Sequence, residues 1–221
     1  MCLTLRHDDW RARAGATLLR HHGVVAYPTE GVWGLGCMPG STQALNRILA
    51  LKGRAQAKGM ILVAGDERFF APLLEGLPVP ALRLFRASAG EHITWLVPWR
   101  GRLLSSWCGR VCAPRKILSP IVRGASDHVA IRLSMHPVIA ALTRSTGTPI
   151  ISTSANPAGR APARSAFDVR RYFRNSLDAI VPGSLGNAAG PSEIRDLLTG
   201  AVVRPAAVGQ LSASVAGSAP P

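Results

Sequence analysis

The sequence predicts an α/β domain with a mixed sheet, and three observations carry that expectation. Helical and strand-like segments alternate along the chain. The strand-like runs are short, apolar and β-branched, and they stop at proline, glycine or hydroxyl residues. The chain has 221 residues, 47% of them apolar, which is enough to bury a core in one domain.

The elements follow in order. Residues 9–22 read as a helix with Asp9 as its cap, Trp10, Ala14, Leu18 and His21 at helical spacing, and Gly23 as its stop. A strand is expected at Val24 to Tyr27. Ser41 caps a second helix that runs to Lys52, with Leu45, Ile48 and Leu49 along one side. Met60 to Ala64 is a buried strand, 67–75 and 80–88 are short helices, and the β-branched and aromatic run Ile93 to Pro98 is a strand with a proline exit. Val129 to Leu133 is the next strand and His136 to Thr146 a helix entered through Pro137. Ile150 to Ser152 continues the sheet into a hydroxyl-rich loop. Ser165 caps a helix to Arg174, Ala179 to Val181 is a short strand, and 193–198 with 201–204 form a hairpin around Thr199-Gly200. Residues 1–205 are thus expected to be one domain, and 206–221, rich in Ala, Ser, Gly and Pro, a disordered tail.

Lys and Arg number 26 against 12 Asp and Glu, a net charge of +14. That excess suits phosphate-bearing partners, and it equally suits a soluble protein of high arginine content. The stretch 99–127 carries Arg100, Arg102, Arg110, Arg115, Lys116 and Arg123, interleaved with Trp99 and Trp107. Cys2, Cys37, Cys108 and Cys112 are scattered in a chain too large to need disulfide staples, which points to a reduced, cytoplasmic protein. Cys108 and Cys112 lack the second pair or nearby His of a zinc site, so no bound metal is expected. No secretory signal is visible, and no apolar run approaches the roughly 20 residues of a membrane span.

Several catalytic patterns are absent: a Gly-x-x-x-x-Gly-Lys-Ser/Thr loop, a His-Glu-x-x-His pair and a Gly-x-Ser-x-Gly elbow. Gly31, Gly34 and Gly36 are spaced wrongly for a dinucleotide fingerprint and read as easing a tight strand or turn. The six histidines show no carboxylate partner. More informative is Ile151-Ser152-Thr153-Ser154-Ala155-Asn156, where hydroxyls and an amide follow an apolar run. Thr29 and the cations Lys52, Arg54 and Lys58 fall at other strand and helix ends. Taken alone, the cations read as favourable charge at a helix C-terminus, worth about 0.3–1 kcal/mol. If the carboxyl ends of strands share a crevice, as in open α/β sheets, these groups converge on an anionic ligand. Arg132, inside Val129-Ala130-Ile131-Arg132-Leu133, is either on the solvent face of the sheet or paired and held for a ligand. Ser192 and Arg195, in Pro191-Ser192-Glu193-Ile194-Arg195-Asp196, and Arg204 add a hydroxyl and two guanidinium groups.

This ordered set resembles the YrdC/TsaC family of threonylcarbamoyl-AMP synthases: Tyr27-Pro28-Thr29-Glu30 with Gly34-Leu35-Gly36, Lys52-x-Arg54, Val129-Ala130-Ile131-Arg132, Ser152-Thr153-Ser154-Ala155-Asn156 and Pro191 to Asp196. The resemblance covers roughly 10–205. It implies an open, twisted mixed sheet around a large basic concave groove. The implied enzyme is a nucleotidyltransferase that joins L-threonine, bicarbonate or CO2 and ATP, with Mg2+ accompanying the ATP, and releases pyrophosphate. Its product would feed N6-threonylcarbamoylation of the tRNA adenosine beside the anticodon through a downstream tRNA threonylcarbamoyl transferase complex. The resemblance is to the short, single-domain members.

By resemblance, Lys52, Arg54, Ser154 and Asn156 form the catalytic set. Thr29, Arg132, Ser152 and Ser192 would hold threonine, and Arg54, Lys58, Ser154 and Arg204 would hold ATP. Thr153 is expected to point into the core. The sequence departs from the family at Gly31, where many members carry Thr, and at Val63, where longer members carry His. It departs again at Ala55, where a Pro follows Lys-x-Arg, and at Gly90 to Thr94, where a Pro-Gly-Pro-like turn is common.

Two other classes compete on the residues. A double-stranded RNA-binding or ribosome-maturation module, binding tRNA or duplex RNA, would use the arginines but has no evident need of Ser152, Ser154 and Asn156. A carbamoyl-transfer domain of hydrogenase maturation proteins normally sits in a longer chain.

Overall fold

The computed structural model describes residues 9–100 and 118–206. The expected tail and most of the Arg-rich stretch, with Cys108 and Cys112, lie outside the described residues. The chain order is α1 (Asp9–Arg20), β1 (Val25–Pro28), β2 (Trp33–Gly36), α2 (Thr42–Lys52), β3 (Ile61–Ala64), α3 (Ala71–Leu74), α4 (Val79–Ala87), β4 (Ile93–Pro98), α5 (Pro120–Arg123), β5 (His128–Leu133), α6 (Pro137–Thr146), β6 (Ile150–Ser154), α7 (Ala166–Phe173), β7 (Ala179–Ile180), β8 (Glu193–Asp196) and β9 (Val202–Arg204). Among the described residues these strands form one nine-stranded open sheet in the order β7-β1-β2-β6-β3-β5-β4-β8-β9. It is mixed: β1–β7, β3–β5 and β4–β8 run parallel and the other neighbours antiparallel. The α/β class with a mixed sheet is therefore as the sequence predicts.

Strand alternation divides the core. One face presents Leu62, Ala64, Trp95, Val97, Val129, Ile131 and Ile151 to α2, α3, α4 and α5. Phe70 and Phe85 meet edge to face within it, 6.0 Å between ring centres. The opposite face buries Val25, Tyr27, Val63 and Ile150 beneath α1 and α6. Ala26, Trp33, Leu35 and Ala155 pack under Val169 and Phe173 of α7. That helix starts with a reciprocal capping box between Ser165 and Asp168, an arrangement worth about 1 kcal/mol.

The buried side of α1 differs from the expected one. Trp10 is 58% exposed, whereas Ala12, Ala16 and Leu19 are buried. Small residues win because the helix lies close to its neighbours: a Cβ on Gly15 would come 2.7 Å from Val181 Cγ2 and 3.3 Å from Leu142 Cδ2.

Of the two expected alternatives, strand or turn, Trp33–Gly36 is the strand. Its glycines have a packing reason, since Tyr27 from β1 lies across them; a Cβ on Gly36 would meet Tyr27 Cε1 at 2.6 Å and the carbonyl oxygen of Ile151 at 2.5 Å. The ring is fully buried and its hydroxyl donates to that same carbonyl at 3.0 Å. Aromatic cover of strand glycines pins the register of β1, β2 and β6.

Candidate functional site

The face covered by α1 and α6 over one part of the sheet is left open over another. There Gly34, Ile61, Leu96, Ala130, Arg132, Ser152, Ser154 and Ile194 form the floor of a groove. Its walls bring Thr29, Arg54, Lys58, Arg123, His128, Ser192 and Arg204, and no Asp or Glu appears among the described lining residues. The groove runs over a face of the sheet and takes in both the entry to β3 and the end of β6, rather than a crevice outside the carboxyl ends of the strands. β6 extends two residues beyond the expected Ser152, so Ser154 belongs to a strand and lies opposite Gly34. Alternation aims Ser152 and Ser154 to one side together, whereas Thr153 is buried with its hydroxyl 3.5 Å from Arg54 Nη1 and still contributes to the lining.

Lys52 ends α2, and Gly53 closes the helix in the left-handed conformation at φ 58°. The lysine is 4% exposed and its ammonium donates to the carbonyl oxygens of Ser154 and, at 2.8 Å, of Asn156. Burial, with the Arg54 charge beside it, lowers its pKa to about 8. Lys52 therefore stands behind the groove and shapes the turn after β6. Asn156 spans that turn, its Nδ2 donating to Pro157 O at 3.0 Å and Arg160 O at 2.7 Å, while its buried Oδ1 has no partner.

Arg54 returns along the wall and donates to Gly59 O at 2.8 Å and Lys58 O at 3.2 Å. Burial, and then the nearby Arg204 charge, lower its pKa.

Arg132 is 6% exposed, and its Nη2 lies 3.4 Å from Glu30 Oε2. The arginine is therefore buried and paired rather than free in solvent. Glu30 Oε1 accepts from the Ser134 hydroxyl. Burial opposes the Glu30 carboxylate, but Arg132 and Ser134 outweigh it and hold the group below the usual carboxylate range. His92 stands 3.9 Å away through Nδ1 and donates from Nε2 to Gly190 O at 2.9 Å. The expectation that no histidine meets a carboxylate is thus corrected, here and at His128, which lies 3.5 Å from Asp196. Sequence reasoning missed Glu30, His92 and Ser134 as partners. One signal was present: Glu30 is the only acidic residue between Asp9 and Asp66.

Ser192 is 2% exposed and shares a 2.7 Å hydrogen bond with Thr94, while its carbonyl accepts from Arg204 at 2.8 Å. Thr29 is likewise buried, its hydroxyl donating to Val32 O at 2.7 Å. Arg195 lies opposite Trp95 on the far face and pairs with Glu193, away from the groove. No group of three or more His, Cys, Asp or Glu able to hold a metal occurs among the described residues. Nor is any described helix long and apolar enough to cross a membrane.

An open α/β sheet whose exposed face offers guanidinium groups and strand hydroxyls, with no lining carboxylate, is organised to receive anions. The chain belongs to the Sua5/YciO/YrdC family, whose model, described as telomere recombination, matches residues 17–206. A protein of Hahella chejuensis named threonylcarbamoyl-AMP synthase is 45% identical over 195 residues, 88% of this chain and 98% of that one. One of the same name from Pseudomonas aeruginosa PAO1 is 46% identical over 199 residues, covering 90% and 99% of the two chains. Among solved structures, P. abyssi Sua5 complexed with L-threonine superposes with a TM-score of 0.76 at 25% identity, covering 90% of this chain and 54% of that one. The chain thus spans about half of that larger protein. E. coli YciO, at 20% identity with a TM-score of 0.72 and 92% coverage of both chains, shares the fold.

Proposed function

We propose that this protein is a threonylcarbamoyl-AMP synthase, a nucleotidyltransferase that converts L-threonine, bicarbonate or CO2 and ATP to L-threonylcarbamoyl-adenylate and pyrophosphate. The product supplies N6-threonylcarbamoylation of the adenosine next to the tRNA anticodon. The observation that carries this reading is about 45% identity to synthases matched over nearly their whole length. The groove's cations and hydroxyls support it chemically. The expected domain of residues 1–205 is the catalytic unit in this reading.

The reaction asks for charge control and alignment. Threonine's amine forms an N–C bond to carbon and gives up a proton, as a C=O π bond of CO2 opens or as a C–O bond of bicarbonate breaks and water leaves, giving a carbamate. A carbamate oxygen then bonds to the α-phosphorus as the bond to the β-phosphate oxygen breaks and pyrophosphate leaves. Threonine carboxylate, carbamate and triphosphate are all anionic, so a basic concave groove lowers the cost of gathering them and fixes the attack geometry.

In this assignment Arg132 and Ser192 hold the threonine carboxylate, with Thr29 and Ser152 completing that end. Arg54, Lys58, Ser154 and Arg204 hold the nucleotide. Lys52 and Asn156 keep the turn after β6 in the shape that presents Ser154. The lining supplies hydroxyl oxygens but no carboxylate. A protein-held Mg2+ site does not fit these residues, and the metal's ligands would be phosphate oxygens and water.

Purified protein given L-threonine, bicarbonate and Mg-ATP should release pyrophosphate only when all three are present. Release that persists without threonine, or no release at all, refutes the assignment.

A further inference from the structure

Glu30 stands outside the groove lining, yet two parts of the amino-acid end meet on it. Its side chain faces the Arg132 guanidinium at 3.4 Å through Oε2, and Ser134 bonds the other carboxylate oxygen. Its main-chain carbonyl accepts from Ala188 N at 2.9 Å, next to the bond from Gly186 N to Thr29 O at 3.0 Å. The 186–190 segment is thereby laid on the Thr29–Glu30 backbone and leads directly into Pro191 and Ser192. Gly31 permits this contact, because a Cβ there would sit 2.2 Å from the Gly190 carbonyl oxygen. His92 holds the same carbonyl from the other side at 2.9 Å.

We infer that Glu30 is the positioning residue of the groove's amino-acid end, fixing Arg132 through its carboxylate and Ser192 through the segment docked on its main chain. This rests on the synthase reading above.

The charge balance explains why such a residue is needed. Arg132 follows the buried Ile131 in β5 and is itself almost inaccessible. A buried guanidinium without a counter-charge leaves its place when the chain allows it. Glu30 supplies that counter-charge, so Arg132 stays in the groove floor when no anionic ligand is bound. Arg132 Nε, Glu30 Oε2 and His92 Nδ1 are all buried without a hydrogen-bond partner. The Arg132–Glu30 contact is therefore held by charge attraction at 3.4 Å rather than by a hydrogen bond. Glu30 touches no reacting atom in this scheme and acts through Arg132 and the 186–192 segment.

The test is steady-state pyrophosphate release by the full chain. Glu30→Gln, which keeps the shape and removes the charge, should raise the KM for threonine by about tenfold while the KM for ATP and kcat change by less than about threefold. Ser134→Ala, which leaves the carboxylate but frees its orientation, should raise the threonine KM by about threefold. A threonine KM that is unchanged or lowered in both variants, or one that rises in step with the ATP KM, overturns the inference. If Glu30→Gln does not fold, Ser134→Ala decides alone. Should the wild type release no pyrophosphate in response to threonine, the synthase reading falls. The positioning role is then read separately by calorimetric binding of L-threonine to the same variants, where unchanged affinity overturns it.

Discussion

Lys52 and Asn156 are joined through the main chain: the lysine ammonium donates a 2.8 Å hydrogen bond to the asparagine carbonyl oxygen. A second bond reaches the carbonyl of Ser154, and the Lys52 carbonyl accepts from Ala158 N at 2.7 Å. The end of α2 and the turn after β6 are therefore one assembly. The lysine holds backbone on both sides of that turn.

Replacing Lys52 with Met should leave two carbonyls short of a donor and cost about 2–3 kcal/mol in urea unfolding, together with most of the activity. The pH dependence is diagnostic. The folded-state pKa near 8 lies below the ordinary lysine value of 10.5. Between those values the unfolded chain binds more protons, so the contribution of Lys52 to stability rises with pH across that window and is least favourable below pH 8. The stability of the wild type relative to Lys52→Met should accordingly increase from pH 8 to 10.5. A difference that stays flat would show that the ammonium is not held as described.

Arg54→Lys should raise the KM for ATP by about tenfold with little loss of stability, measured by pyrophosphate release and thermal unfolding. The guanidinium reaches Gly59 O, Lys58 O and Thr153 Oγ1 at once. A single ammonium cannot reproduce that fork.

Gly36→Ala should destabilise the fold by about 2–3 kcal/mol, because the added carbon meets the Tyr27 ring and the Ile151 carbonyl, both fixed in the core. Chemical denaturation checks this. A neutral outcome would mean that β1 and β2 separate more easily than their packing indicates.

Gly31→Thr, which introduces the residue expected at this position by resemblance, should be harmful here. The new side chain would displace the Gly190 carbonyl and with it the approach to Ser192. We expect a loss of about 1–3 kcal/mol in denaturant unfolding and a raised threonine KM in the pyrophosphate assay.

Much of the architecture was legible locally. Ile93–Pro98 forms the strand that its β-branched pattern predicts, and Ser41 caps α2 by accepting from Ala44 N. What was hidden depends on partners distant in the chain. Trp33–Gly36 reads as a tight strand or a turn until Tyr27 covers its glycines, and the exposed edge of α1 looks buried until the small residues facing α6 are seen. In the groove, Thr29, Arg54, Lys58, Arg132, Ser152, Ser154, Ser192 and Arg204 converge as lining, whereas Lys52 lies behind it. Asn156 forms the turn beside them through its own amide. Glu30 and His92 were unreadable as a pair because their approach is made by the fold, between a loop after β1 and the entry to β4.

β6 is bonded to β2 on one side and to β3 on the other, with Ser154 opposite Gly34 and Ser152 opposite Ile61. Whatever rests on those two serines therefore spans the boundary between a four-strand group ending at β6 and the five strands beyond it. A ligand at a hundred times its Kd adds about 2.7 kcal/mol to unfolding by mass action. Because that ligand leans on both groups, neither can melt without releasing it, and occupancy should sharpen the thermal transition of the whole sheet as well as raise its midpoint.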